Sequence, residues 1–340
     1  MKALVWTGPD QSEIRDIDKP VIKEDEVLLK VRATGVCGTD LTIYKGYFPP
    51  HRAIAPMALG HEMSGEIAEL GSAVSGYSIG DRVVADPLVS CGRCYNCLKG
   101  LRHICTSLAL FGVDRHGSFA EYVKVKADKL YPIPEGLSFE QAAVFEPLAV
   151  AVHAVRRSRL KAGDTALVVG GGPIGILIAM TASLAGARQV VVSEIQEFRL
   201  NLLRELGFTV VNPMKSEQSQ TIDAHFEGIG PEVIYEVTGT AGGFQQAIDT
   251  ASYRGRIVEV GVPKGEQKID LRKGNFGELE IIGSRVYEPV DIKTALKILA
   301  DGRYDWNKLI KTFPLNEGPE VLTELGSGSS TVMKAIFTLG

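Results

Sequence analysis

Four of the chain's five cysteines lie together in CGRCYNCLKGLRHIC, as Cys91, Cys94, Cys97 and Cys105. The spacing C-x2-C-x2-C-x7-C suits zinc, because thiolates at such intervals fold a short loop around a tetrahedral ion. The segment is too short and polar to keep its shape by burying apolar area. Structural zinc can supply that energy, on the order of 10–16 kcal/mol in small peptides near neutral pH. All four positions are filled, so the site is closed and its role structural. Disulfides and an iron–sulfur cluster fit less well. So does a zinc module gripping nucleic acid, for which the segment has too few basic and aromatic residues.

The fifth cysteine, Cys37, stands apart in GVCGTD. A catalytic zinc keeps one position open and takes three protein ligands. Cys37 and His61, in GHEMSG, are candidates, and the third ligand is either Glu62 or Glu146, in FEPLAVAVH. Each residue alone also has a plain structural reading. A single cysteine is often a small core residue, a single histidine a hydrogen-bonded one, and Asp40 a helix cap before LTIY. Spacing alone does not prove a second metal.

A third pattern is VVGGGPIG, which satisfies G-x-G-x-x-G with Gly170, Gly172 and Gly175. A strand-like run precedes it, a helical run follows, and Glu194 closes the next strand-like run, VVVSE. That context fits a dinucleotide site: glycines for a tight turn, a close pyrophosphate and close helix packing. The phosphates would sit at a helix N-terminus. A carboxylate at Glu194 can accept both ribose hydroxyls and would repel a 2′-phosphate, so NAD is expected over NADP. Arg199, five residues on, is the one residue arguing for NADP.

These residues need a scaffold. With 340 residues, 45% hydrophobic and 23% charged, the chain has the composition of a globular protein of two domains. A net charge of −4 gives no reason to expect nucleic acid or an anionic membrane as partner. The opening MKALVWTGPD lacks the apolar run of a secretory signal. Together with the odd cysteine count, this leads us to expect a reduced, cytoplasmic protein. Residues 165–187 carry no charge and could be taken for a membrane span, but a buried strand, a glycine turn and a packed helix explain them better. KALVWT, EVLLKVRAT, MSGEIAEL and DRVVADPL read as strands. From about residue 164 strand and helix alternate, as in an α/β fold with a parallel sheet covered on both faces. The helix QEFRLNLLRELG should stop at Gly207. A helix and a final strand, VMKAIFTL, close the chain.

Taken together, GVCGTD, GHEMSGEI, GDRV, the cysteine segment, GSFAEY, FEPLAVAVHAV and GGGPIG resemble the zinc-dependent medium-chain alcohol dehydrogenases, in order and spacing, over essentially the whole chain. Within them the chain is most similar to the polyol, sugar-acid and threonine dehydrogenases. The resemblance implies a GroES-like β-rich catalytic domain over 1–149 and 287–340, with a structural zinc lobe at 91–105, and a Rossmann NAD-binding domain over 150–286. It implies two zinc ions per chain, with Cys37 and His61 on the catalytic one. Glu62 would bind that zinc or sit just behind it, and Glu146 would be at or near it. Asp40 would orient a ligand, and Thr39 would relay the proton released by the alcohol. Many relatives carry histidine where this chain has Thr42, so the path past Thr39 departs from the family's. Further coenzyme contacts are implied at Pro173 and Ile174, at Val260, Gly261 and Val262, and at Ser284 and Arg285. The strand EIIGSRV would pair subunits in a homodimer or homotetramer.

The expected reaction is oxidation of a secondary alcohol of a polyol, sugar acid or cyclitol by hydride transfer to NAD, with L-threonine or a vicinal diol as the second choice of substrate. Tyr44, Phe48, Phe111 and Arg115 are candidate pocket residues, and Arg115 could pair with a substrate carboxylate. Two other classes compete. A zinc-free NADPH quinone-type reductase has no need of the metal cysteines, and a non-catalytic dinucleotide-binding protein has no need of Cys37, His61 and Glu146 together.

Overall fold

Apolar, β-branched runs with buried faces build the N-terminal part of the chain as sheets. In the computed structural model, which describes residues 1–215, 222, 224–263 and 265–340, the longest of these runs is the strand Glu26–Gly35. It pairs antiparallel with Glu62–Leu70, with Tyr122–Lys126 and with the last strand, Lys334–Thr338. Beyond Glu62–Leu70 follow Arg82–Ala85 and Leu130–Pro132; beyond Lys334–Thr338 lies Ile310–Pro314, in parallel. A separate three-stranded sheet joins Lys2–Gly8 to Gln11–Asp16 and Met57–Ala58. Val31, Met63, Val83, Phe119 and Phe337 belong to one core, each essentially sealed from solvent. This compact unit comprises Met1–Glu146 and Glu288–Gly340.

The run DRVVADPL, expected as one strand, is broken. Arg82–Ala85 ends before Asp86, and a two-residue strand resumes at Leu88–Val89. Pro87 has no amide to donate to a ladder, and the Asp86 side chain turns inward to accept from the Leu88 amide (3.0 Å) and pair with Lys129 (2.7 Å). Leu88–Val89 then pairs with Ala109–Leu110 and closes the base of the cysteine lobe.

The second unit, Pro147–Tyr287, is a six-stranded parallel sheet. Its order is Thr209–Val211, Gln189–Ser193, Thr165–Val169, Val233–Glu236, Arg256–Glu259, Glu280–Gly283. That order is a doubly wound Rossmann sheet, whose ligands bind beyond the carboxyl ends of the strands where the order reverses. All five residues of Thr165–Val169 are buried, as a central strand covered on both faces requires. The uncharged stretch 165–187 therefore divides into this strand and the helix Pro173–Leu184. No helix among the described residues is long and apolar enough to cross a membrane.

The helix Glu197–Glu205 stops where its glycine allows. Gly207 adopts φ +85°, its amide bonds Arg204 O (2.9 Å), and the Phe208 amide bonds Leu203 O (3.0 Å). This is the Schellman arrangement that satisfies the last carbonyls of a helix.

Phe337 and Phe119 meet edge to face, 5.1 Å apart at 90°, in the middle of the first unit's core. Phe337→Ala is expected to cost about 3–5 kcal/mol. Urea unfolding followed by circular dichroism should show the loss as a lower midpoint with an unchanged slope.

Candidate metal and coenzyme sites

Cys37 follows the end of the strand Glu26–Gly35 and caps the helix Gly38–Tyr44. Its sulfur accepts from the Thr39 amide (3.5 Å), while Asp40 Oδ2 accepts from the Cys37 amide (2.9 Å). Asp40 is thus a helix-capping residue, as its place in the sequence suggests, and it does more. Its other oxygen accepts from the Gly60 amide (3.1 Å) and lies 3.6 Å from His61 Nδ1. One buried carboxylate so fixes both the thiol and the imidazole. Gly60 has φ +87°, and a Cβ there would collide with the Phe119 ring, so glycine is required at the turn that delivers His61. The next residue, Glu62, opens the strand Glu62–Leu70.

Donor atoms of Cys37, His61 and Glu62 lie within 4.8 Å of one another. Zinc ligands at about 2.0–2.3 Å from the ion lie at separations of this order. A thiol, an imidazole and a carboxylate, all pointing at one spot, are a donor set that fits zinc. Glu146, in the first turn of the helix Phe145–Ser158, is buried but outside that three-residue cluster. Thr39 borders Cys37 and is half-buried. Thr42 spends its hydroxyl on Gly38 O (2.9 Å), one turn back in its own helix.

Lys334 was not foreseen from the sequence. It opens the last strand, is 5% exposed, forms an ion pair with Glu62 and donates to Val36 O (2.9 Å). Burial alone would push its pKa down; Glu62, then Cys37, with Glu146 behind them, outweigh burial and hold it above the ordinary value. The signal was one charge within the apolar run VMKAIFTL. His61 balances the same way. Burial lowers its pKa, but Asp40 and then Cys37 raise it well above the usual histidine value.

In the lobe, the sulfurs of Cys91, Cys94, Cys97 and Cys105 also lie within 4.8 Å of one another. Backbone amides turn toward them: Cys91 N to Cys105 Sγ (3.3 Å), Cys94 N to Cys91 Sγ (3.4 Å), Ser107 N to Cys105 Sγ (3.4 Å). Amides of Cys97 and Thr106 draw the Cys94 thiol down to about 5, whereas burial and the neighbouring thiols push Cys97 up to about 11. Tyr95 and Leu98 of this lobe are largely exposed. Four thiols held together without a core to bury fit a structural metal.

The coenzyme candidates gather in the second unit. Gly170 (φ +104°) makes the turn after Thr165–Val169, Gly172 precedes the helix Pro173–Leu184, and a Cβ at Gly175 would collide with Gly170 O. Pro173 occupies the first helical turn, followed by Ile174, and no side chain caps the helix, which leaves its first amides for an anion. Glu194 is buried at the end of Gln189–Ser193. Its carboxylate accepts from the Gly171 (2.9 Å), Ile195 (2.6 Å) and Gln196 (2.8 Å) amides, with Arg199 Nη1 at 3.4 Å. Val260 and Gly261 both donate to Glu236 O (2.9 Å each), and Val262 is exposed. Glu236, not singled out from the sequence, is buried and gathers the Thr238 (2.8 Å) and Gly239 (3.0 Å) amides. The Ser284 amide bonds Glu259 O (3.0 Å), its hydroxyl is buried, and Arg285 is exposed.

The four candidate pocket residues fare differently. Tyr44 belongs to the core, buried, with its hydroxyl bonded to Asp10 O (3.0 Å) and Thr323 Oγ1 (2.9 Å). Phe48 packs on the same core, under the Arg52 guanidinium, and Arg52 fastens the 44–60 loop through two bonds to Asp114 (2.9 and 2.6 Å). Phe111 is buried beneath Arg115. Arg115 opens onto a cavity of about 860 Å³ whose walls include neither Cys37, His61 nor Glu62.

Residues 23–135 match the family described as the alcohol dehydrogenase GroES-like domain, and residues 173–301 match the zinc-binding dehydrogenase family. The chain is 41% identical over 317 residues to a 2-dehydro-3-deoxy-L-galactonate 5-dehydrogenase of Pseudoalteromonas atlantica, covering 92% of this chain and 91% of that protein. It is 33% identical over 320 residues to an L-threonine 3-dehydrogenase of the same organism, covering 93% and 94%. The crystal structure of a zinc-binding dehydrogenase from Sinorhizobium meliloti bound to NADP superposes with a TM-score of 0.92, at 32% identity and 99% coverage of both chains.

Zinc must displace a proton from His61. Because the metal-free, folded pKa is raised, protonation stabilises that state fully below the unfolded value. The contribution is lost as pH rises through the folded one. Chelator competition between about pH 6 and 9 should show zinc affinity at the Cys37 site falling as pH drops, with proton release on binding. Affinity independent of pH would count against His61 as a ligand. Metal analysis should find about two zinc ions per chain, and about one after either Cys37→Ala or Cys94→Ala.

Proposed function

We propose that this chain, which belongs to the zinc-dependent medium-chain alcohol dehydrogenase family, oxidises a secondary alcohol of a sugar acid, polyol or cyclitol to a ketone with NAD as hydride acceptor. The observation that carries the reading is the convergence of Cys37, His61 and Glu62 inside a unit that matches the GroES-like domain. The 41% identity to a sugar-acid dehydrogenase supports the substrate class. An L-threonine 3-dehydrogenase at 33% identity keeps that activity as the second reading.

Bound zinc supplies the Lewis acidity that stabilises an alkoxide, and the nicotinamide supplies the hydride acceptor. Cys37 and His61 hold the zinc, with Glu62 or Glu146 as the third protein ligand. Asp40 orients His61 and keeps the thiol in place through the helix cap. Thr39 takes the substrate proton toward solvent. Gly170, Gly172, Pro173, Ile174 and Gly175 receive the pyrophosphate, and Glu194 the ribose hydroxyls. Arg199 lies beside that carboxylate rather than replacing it, which favours NAD; the S. meliloti relative's NADP makes the coenzyme a point to test. Val260, Gly261, Val262, Ser284 and Arg285 flank the nicotinamide. We assign residues 1–149 with 287–340 to the catalytic domain and 150–286 to the coenzyme domain. The edge strand Glu280–Gly283 has one sheet neighbour and exposes Ile281, which supports a homodimer or homotetramer joined along that edge. We place the enzyme in the cytoplasm, where its five cysteines, none of them in a disulfide, would stay reduced.

NADH formation should be followed with polyols, aldonic acids, cyclitols, 2,3-butanediol and L-threonine, with NADP in parallel. The expected outcome is turnover of a sugar acid or polyol, a preference for NAD over NADP of at least about tenfold, and loss of activity in Cys37→Ala. Faster turnover of L-threonine would move the assignment to the second reading. Thr42→His should lower the pH optimum in a pH–rate profile, because it adds a proton acceptor near Thr39.

A further inference from the structure

Glu62 and Lys334 meet across a strand that carries no side chain at their level. Gly35 pairs with Glu62 on one side and with Ile336 on the other. Lys334, two residues from Ile336, points to the same face of the sheet. A Cβ at Gly35 would collide with Glu62 Oε2 and stand 3.0 Å from Lys334 Cε. The glycine is the slot through which the two charges reach each other. The same ammonium donates to Val36 O (2.9 Å), the residue before Cys37. It therefore ties the backbone that delivers the thiol to the carboxylate that follows the imidazole.

Glu62 is claimed from two sides: Lys334 holds it, and a carboxylate oxygen lies within 4.8 Å of the Cys37 and His61 donor atoms. The chain offers two buried carboxylates, Glu62 and Glu146, for one ligand position. If both bound, the site would be closed with four protein ligands, as the lobe is, and no position would remain for a substrate.

We infer that Lys334 is a positioning residue that holds the Glu62 carboxylate back from the metal, so that one coordination position stays open. The inference rests on the proposed zinc site at Cys37 and His61. A buried carboxylate paired with an ammonium is a weaker ligand, because its charge is already met. Without Lys334, the nearest cation left to Glu62 is the metal itself, and an uncompensated buried charge is strongly disfavoured.

The test uses the full-length chain with zinc, and with cobalt(II) in its place for visible spectroscopy, in wild type, Lys334→Met, Lys334→Arg, Gly35→Ala and Lys334→Met/Glu62→Gln. In Lys334→Met, Glu62 should turn onto the metal. Zinc release to a chelator should slow by at least about tenfold, and the cobalt absorption bands should shift. Lys334→Arg should keep the wild-type rate and spectrum, and the double variant should return to them. Gly35→Ala keeps both charges but pushes Glu62 off Lys334, so it should move release and spectrum in the same direction, whether or not Lys334→Met folds. A wild-type release rate and cobalt spectrum in Lys334→Met or Gly35→Ala would overturn the inference, as would a change that persists in the double variant. If Cys37→Ala retains the full zinc content of wild type, the zinc reading fails and this inference with it; metal lost in Cys37→Ala but no change in Lys334→Met overturns this inference alone.

Discussion

A charge inside a sheet core must meet its opposite, and this chain buries several at one place. Asp40, His61, Glu62 and Lys334 are all 5% exposed or less. The cost of an ion without a partner in such surroundings is several kcal/mol. They are consequently set out as neighbours, Asp40 against His61 and Glu62 against Lys334. That pairing constrains the sheet. The strand Glu26–Gly35 must lie between Glu62–Leu70 and Lys334–Thr338, and it must end in a glycine where the pair crosses. The C-terminal strand returns to the N-terminal sheet to supply one half of that contact.

The two candidate metal clusters are held by different physics. Around Cys37 the geometry is made by the sheet and by a helix cap. The ladder sets where Glu62 stands, the Gly60 turn sets His61, and Asp40 locks that turn and its histidine to the first turn of Gly38–Tyr44. In the lobe there is little core to do this. A two-residue pairing at its base and amides aimed at sulfur set the four thiols, while its larger apolar side chains face outward. The first cluster inherits rigidity from the fold, and the second needs its metal to acquire it.

On the coenzyme side, the same management of charge uses backbone amides. Glu194 and Glu236 are both buried, and each gathers amides from the loop that follows its strand, Glu194 with the Arg199 guanidinium beside it. Glu194 also reaches the Gly171 amide of the glycine turn. Two strand-end carboxylates so shape the loops at the carboxyl edge of the parallel sheet, where a doubly wound fold receives its ligand.

Much of this was legible in the sequence because it is local. Four cysteines within fifteen positions, a glycine turn between a strand and a helix, and a glycine after LLREL each depend on residues that are neighbours in the chain. The strand–helix alternation gave the Rossmann half for the same reason. DRVVADPL failed as one strand because Pro87 and the inward turn of Asp86 outweighed its β-rich composition. Tyr44, expected to line a pocket, faces the core instead, because residue type does not say which way a side chain points. Sequence by itself determined the family, the fold class and the candidate donors Cys37, His61, Glu62 and Glu146. Only the tertiary structure brought a Glu62 carboxylate oxygen within 4.8 Å of the Cys37 and His61 donor atoms, and set Lys334, 272 residues further along, as its counter-ion. The reason is that strand register, not sequence separation, fixes which buried charges meet, and register is a property of the assembled sheet.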